Sequence, residues 1–204
     1  MADSLVVIRS GATDYELQGR IRGTLEMPLC AEGIAEAREH AAAIAAACSA
    51  GDPLPAVYTS PSACAMETSR IIGRAIGVRP HRVAGLANFD QGLWQGMLVD
   101  DIRRKQPRLY RQWQENPWAV APPEGELLDE ACSRVGSALE RLLKRHTEGT
   151  VALIVPAPLD RIVRWLANGE SLADLWLRDP QAALARIPLA SQWKSRIVRE
   201  KVRV

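Results

Sequence analysis

A guanidinium and a hydroxyl stand side by side where the first apolar run of the chain ends. Leu5-Val6-Val7-Ile8 reads as a buried strand, and Arg9-Ser10-Gly11 follows it directly. Arg9 offers a planar, permanently charged fork suited to an oxyanion. Ser10 is a nucleophile only if a base lies within hydrogen-bond reach. A second nucleophile, Cys64, precedes Arg70 with the Cys-x5-Arg spacing of thiol-dependent phosphoryl transfer. That chemistry needs a tight loop whose N–H groups all face the phosphate. Ala65-Met66-Glu67-Thr68-Ser69 reads instead as a helix turn with an acidic residue in it, so the spacing is coincidental. The three histidines, His40, His81 and His146, fall on a helix or near loops, where solvated or capping roles are expected. The four cysteines, Cys30, Cys48, Cys64 and Cys132, form no Cys-x-x-Cys pair. No metal site and no cofactor is expected from them.

These groups need a scaffold, and the chain alternates strands with helices. Glu32 to Cys48 is an Ala-rich helix with Ile34, Ala37, Ala41, Ile44, Ala45 and Cys48 on one face. Gly51-Asp52-Pro53-Leu54-Pro55 breaks it, and Ala56-Val57-Tyr58-Thr59 is a short strand. A second helix is expected from Pro61, at a first-turn position, to about Gly77. A short extended piece near Arg82-Val83 leads to a loop from Asn88 to Gly96, then to a Trp- and Pro-rich excursion. Glu126 to Arg145 is amphipathic, Val151 to Val155 is a third buried strand, and Leu159 to Ala167 a helix. Near-continuous Val/Ile/Leu strands between helices predict an α/β fold, a three-layer α/β/α sandwich around a mostly parallel sheet. In such sheets the site lies beyond the carboxyl ends of the strands, here Arg9-Ser10, Ser60-Pro61 and Pro156-Ala157.

Several blocks, in order, resemble the histidine phosphatase superfamily, the phosphoglycerate-mutase-like proteins. That family opens with Arg-His-Gly-Glu-Thr, an Asn, Gly-Arg-x-Gln-Gly, Pro-Leu and a Gly. Arg9, Gly11, Thr13, Gln18, Gly19, Arg20, Gly23, Pro28, Leu29 and Gly33 match it in register. Ser-Pro-x-x-Arg-Ala-x-x-Thr is echoed by Ser60, Pro61, Ala65 and Thr68, and Gly-x-Trp-x-Gly by Gly92, Trp94 and Gly96. Pro122, Pro123, Gly125 and Glu126 echo a Pro-Pro before a Glu-bearing helix. The family's closing strand and Ser-His-Gly align with Val155-Pro156-Ala157-Pro158. The resemblance implies one domain over 1–204, with a lid-like insertion around 97–123.

The departures fall on the reactive letters. The resemblance puts the nucleophilic His at Ser10, the phosphate-holding Asn at Glu16, and the second-block Arg at Cys64. It puts the proton-donating Glu at Asn88 and the second His at Ala157. Of the positions credited with the reaction, only Arg9 keeps the family's residue. Asn88 cannot transfer a proton, Ala157 carries no charge, and Cys64 lacks the donor fork of arginine. The expectation is a catalytically inactive relative acting as a binding or regulatory module. Its pocket residues would be Arg9, Glu16, Arg20, Cys64 and Arg161, and its ligand small and polar or anionic. The competing expectation is an active phosphomonoesterase or mutase-like enzyme with a rebuilt site using Ser10 or Cys64.

A chain of 204 residues, 47% hydrophobic, holds a substantial core, and a net charge of +2 gives no strong field toward nucleic acid or membrane. The basic stretch Lys194 to Arg203 alternates with Ile197, Val198 and Val202 and reads as a strand with a wet basic face. No apolar run approaches about 18 residues, and no leader is evident, so a cytoplasmic protein is expected. A homodimer or a protein partner remains open at this level.

Overall fold

The computed structural model describes residues 2–172, 175–176 and 183–189. Five strands form one sheet: β1 (Ser4–Arg9), β2 (Ala56–Thr59), β3 (His81–Arg82), β4 (Thr150–Val155) and β5 (Leu184–Pro188), ordered β3-β2-β4-β1-β5. The β1, β2, β3 and β4 pairings are parallel, and β5 closes the edge antiparallel to β1. The expected mostly parallel α/β sheet is present.

Strand alternation sorts the core into two layers. Leu5, Val7, Tyr58, Val151, Leu153 and Val155 face one way. They pack on α6 (Leu128–Leu143) and α7 (Leu159–Asn168). Val6, Ile8, Val57, Ala152 and Ile154 face the other way, onto α2 (Ala31–Ser49) and α3 (Ala63–Ile76). Each such side chain contributes about 1.5–3 kcal/mol on burial, so a one-residue slip would expose a whole layer. The register sets Arg9 opposite Val155 and Thr59 opposite Ile154. Ser10 N–H donates to Val155 O (2.8 Å) and Ser60 N–H to Ile154 O (2.9 Å), so the strand ends abut.

Several boundaries differ from the sequence pattern. The second helix starts at Ala63 behind Ser62, leaving Pro61 outside its first turn. On α2 the buried face is Gly33, Ala37, Ala41 and Ile44, because Gly33 lies against the backbone of Gly11 and Ala12. A Cβ on Gly11 would collide with Gly33 O, and one on Gly33 with Ala12 O. The short α1 (Asp14–Leu17) and the edge strand β5 give no apolar signal of their own. The excursion holds two helices, α4 (Val99–Lys105) and α5 (Pro107–Glu115). They pack through Ile102 and Trp113 on Trp94. The stretch Lys194 to Arg203 lies outside the described residues.

Candidate functional site

Beyond the carboxyl ends of β1 and β4 lies a cleft of about 300 Å³. The loop after α1 supplies Arg20, Arg22 and Gly23 to its wall; α1 supplies Glu16; the turn after β4 and α7 supply Ala157, Asp160 and Arg161. Tyr110 and Trp113 of α5, with Gln91 and Trp176, complete it.

Arg22 is 4% exposed and organises the inner end. Its Nη1 donates to Cys64 Sγ at 2.9 Å and its Nε to Glu16 Oε1 at 3.2 Å. Its Nη2 is buried with no hydrogen-bond partner among the described residues. Glu16 is fully engaged as well: its Oε2 accepts from Thr13 N–H and Thr13 Oγ1, both at 2.6 Å. The carboxylate therefore fixes the start of α1 and pairs with Arg22, and its charge at the wall is compensated.

Arg9 and Cys64 lie behind the wall, not on it. Arg9 Nη1 stands 3.9 Å from Asp160 Oδ2, both side chains buried. Burial raises the pKa of Asp160, opposed by the charges of Arg9, Arg164 and Arg161 and by the Arg161 N–H. Cys64 is wholly buried and collects Arg22, Ser10 Oγ (3.5 Å) and Ser62 Oγ (3.6 Å) around its sulfur. Arg20 reaches the cleft but donates to Gly96 O (2.7 Å) and Gln18 Oε1 (3.0 Å). Arg161 lines the cleft, half-buried.

Asn88 acts as a clasp. Its Nδ2 donates to Gly23 O (2.7 Å) and Ala157 O (3.3 Å), joining the two walls. Arg134 of α6 holds the loop that carries it, donating to Gly85 O and Ala87 O and pairing with Glu126 at 2.6 Å. The Asn88 amide faces two acceptors and can only donate there.

None of the three imidazoles is among the residues lining the cleft. His146 Nε2 is bonded to the Tyr58 hydroxyl at 2.9 Å, and His81 is exposed on β3. His40, half-buried on α2, has its pKa lowered by burial and further by the charge of Arg9, against Glu36 and Glu39. It feels Arg9 but forms no part of the cleft wall. Cys64 and Arg70 share one continuous helix and diverge: Cys64 is buried, while Arg70 lines a separate surface groove with Arg38, Arg74 and Arg82. Among the described residues, no cluster of His, Cys, Asp or Glu could hold a metal ion, and no helix is long and apolar enough to cross a membrane.

A family model of the histidine phosphatase superfamily (branch 1) matches residues 5–192. The chain belongs to that superfamily. Phosphoserine phosphatase 1 of Hydrogenobacter thermophilus is 27% identical over 172 residues, covering 84% of this chain and 79% of that protein. A 2,3-bisphosphoglycerate-dependent phosphoglycerate mutase of Parvibaculum lavamentivorans is 30% identical, covering 86% and 79%. In fold, the chain is similar to a mycobacterial glucosyl-3-phosphoglycerate phosphatase solved with VO3, at TM-score 0.75 and 22% identity over 85% of each chain.

Within this superfamily frame, Arg22, Gln91 and the burial of Asp160 escape a reading of the reactive positions alone. Arg22 had a signal. The family's Gly-Arg-x-Gln-Gly puts a glutamine where this chain places an additional arginine. Gln91 and Asp160 had none, because only the fold brings them to one cleft.

Proposed function

We propose that this histidine phosphatase superfamily protein binds an oxyanionic small molecule in its cleft without transferring a phosphoryl group. Ser10 is the observation that carries this reading. It stands where the resemblance puts the nucleophilic histidine, is 5% exposed, and donates to Cys64 Sγ rather than to a base. A hydroxyl in that setting is not activated. Around it, Asn88 is committed to two carbonyls and Ala157 offers only backbone. General acid–base help alone is worth about 10²–10⁴-fold, so its loss with the nucleophile leaves turnover near background.

The binding half of the equipment survives by another route. The resemblance puts an arginine at position 64, and here the Arg22 guanidinium lies against the Cys64 sulfur instead. Its Nη2 has no partner among the described residues and offers a donor. With Arg22 paired to Glu16, Arg20 and Arg161 against Asp160 leave the lining net cationic. The printed names of the relatives, phosphoserine phosphatase and bisphosphoglycerate-dependent mutase, share a phosphorylated small molecule and support an oxyanion as the ligand class. We read 97–123 as a lid within one domain.

Two measurements on the purified chain test the reading together. Inorganic phosphate binds by calorimetry, and p-nitrophenyl phosphate turns over no faster than in buffer. Turnover that disappears on Ser10→Ala or Cys64→Ala overturns the inactive reading, and failure to bind phosphate overturns the anion site.

A further inference from the structure

Away from the cleft, a surface groove of about 670 Å³ lies where α2, α3 and β3 meet. It shares no lining residue with the cleft. Arg38 of α2, Arg70 and Arg74 of α3 and Arg82 of β3 line it, all four exposed. Their guanidiniums make no hydrogen bond or ion pair with the other described residues. The single acid in the lining, Glu67, is engaged: its Oε2 accepts from Leu29 N–H at 3.1 Å. The whole chain has a net charge of +2, so four arginines against one glutamate gather on one face more positive charge than the chain carries in net.

The arrangement is a cost to the isolated chain. Arg70 and Arg74 stand four residues apart on one helix, where like charges repel. Arg74 meets the C-terminal end of the α3 dipole, which accounts for one charge of the four. Arg38 and Arg82 are brought in from elements distant in sequence. A lone unpaired arginine on a surface is ordinary; four around one concavity make a field that an anionic partner relieves.

The rest of the lining says which anion. The other five residues are apolar, and Ile34, Met66 and Ile71 among them are half-buried. Ile34 and Ile71 are seated on Leu29, Ala37 and Cys64, which fixes them as a floor. An inorganic polyanion uses the arginines and leaves this floor wet. A single-stranded nucleic acid stacks its bases on aromatic faces, and no aromatic side chain lines the groove. A second copy docking by the same face sets arginine against arginine. A protein segment with acidic and aliphatic side chains answers both parts, carboxylates at the rim and apolar groups on the floor.

We propose that the groove between α2, α3 and β3 docks a partner protein through a short segment of acidic and aliphatic side chains. The carboxylates pair with Arg38, Arg70, Arg74 and Arg82, and the aliphatic groups lie on Ile34, Met66 and Ile71. The proposal is independent of what the cleft binds.

Fluorescence anisotropy on the full chain tests it with the fluorescein-labelled peptide Glu-Leu-Glu-Glu-Leu-Glu-Leu-Glu, its glutamine-for-glutamate analogue, octaglutamate and octauridylate. The first peptide is expected to bind tenfold or more tighter than the other three, and to weaken as salt is raised. The double variant Arg70→Gln, Arg74→Gln is expected to weaken it tenfold or more. Arg38→Gln, Arg82→Gln, on two other elements, is expected to do the same, and thermal melts check that both variants stay folded. Met66→Gln keeps the length of the side chain and makes it polar; it is expected to weaken the first peptide at least threefold and to leave octaglutamate unchanged. Failure of the first peptide to bind, or binding that neither arginine pair alters, overturns the docking site. Octaglutamate or octauridylate binding as tightly as the first peptide overturns the assignment to an acidic and aliphatic segment. Self-association by light scattering that either arginine pair abolishes gives the face to a second copy and overturns the proposal as well.

Discussion

Arg22 Nη1 lies 2.9 Å from Cys64 Sγ, so a guanidinium from the loop after α1 is bonded to the buried thiol of α3. The two positions form one unit. Arg22→Gln is expected to weaken phosphate binding tenfold or more, because a hydrogen bond to a charged group is worth about 1.5–3 kcal/mol. Cys64→Arg alone puts two guanidiniums in one buried site and is expected to destabilise the fold. The Arg22→Gln, Cys64→Arg double variant is expected to recover both stability and phosphate affinity. Calorimetry and urea unfolding on the four proteins decide it; additive losses would sink the exchange.

Asn88 holds Gly23 O and Ala157 O together, a role that depends on its two N–H groups. Asn88→Asp keeps the shape and replaces a donor by an acceptor facing two carbonyls. A loss of about 1–3 kcal/mol is expected near neutral pH. The loss should shrink in acid, where the new carboxyl regains a proton to donate. Urea midpoints at two pH values measure it. An unchanged midpoint would mean the clasp carries no strain-bearing function.

Gly11 and Gly33 touch backbone to backbone, which seats the first turn of α2 against the site loop. Ala12 N–H also donates to Glu36 on that helix at 2.9 Å. Gly33→Ala forces the two segments apart at a cost of about 1–3 kcal/mol or more by overpacking. A thermal melt of the variant is expected to fall by several degrees. A melt within one degree of the wild type would show that the contact yields freely.

Much of this frame was legible because burial writes itself into periodicity. The runs Leu5 to Ile8 and Val151 to Val155 are apolar on both faces, which only a covered parallel strand needs. β5 was silent because Leu184–Pro188 is an edge strand with one buried residue, Ile187. The strand ends located the cleft, yet the residues that line it were only half visible. Cys64 and Arg9 sit behind the wall, because a side chain's depth follows from packing and not from sequence position. Asp160 looked like an ordinary first-turn acid on α7, and only the fold buries it between Arg9 and the cleft.

Asp160 supplies a titration with a definite sign. Its carboxyl pKa is raised above the ordinary value of 3.8, chiefly by burial. The folded chain therefore holds this proton more tightly than the unfolded chain does. Across the window from 3.8 up to the raised value, the native state binds more protons, and stability falls as pH rises. Above the window the contribution is flat. Asp160→Asn removes the titration while leaving a side chain of the same shape beside Arg9. The stability difference, wild type minus variant, is thus expected to decline with increasing pH through that window and then level off, whatever its constant offset. Urea unfolding of both proteins at a series of pH values measures it. Bound phosphate should extend the effect, since an anion at Arg22 disfavours a second negative charge in the same cleft and so draws a proton onto Asp160. Calorimetry in buffers of different ionisation enthalpy is expected to show proton uptake on binding in the wild type and less in Asp160→Asn. A difference curve that rises with pH, or equal uptake in the two proteins, would show that Asp160 is held as a paired carboxylate by Arg9.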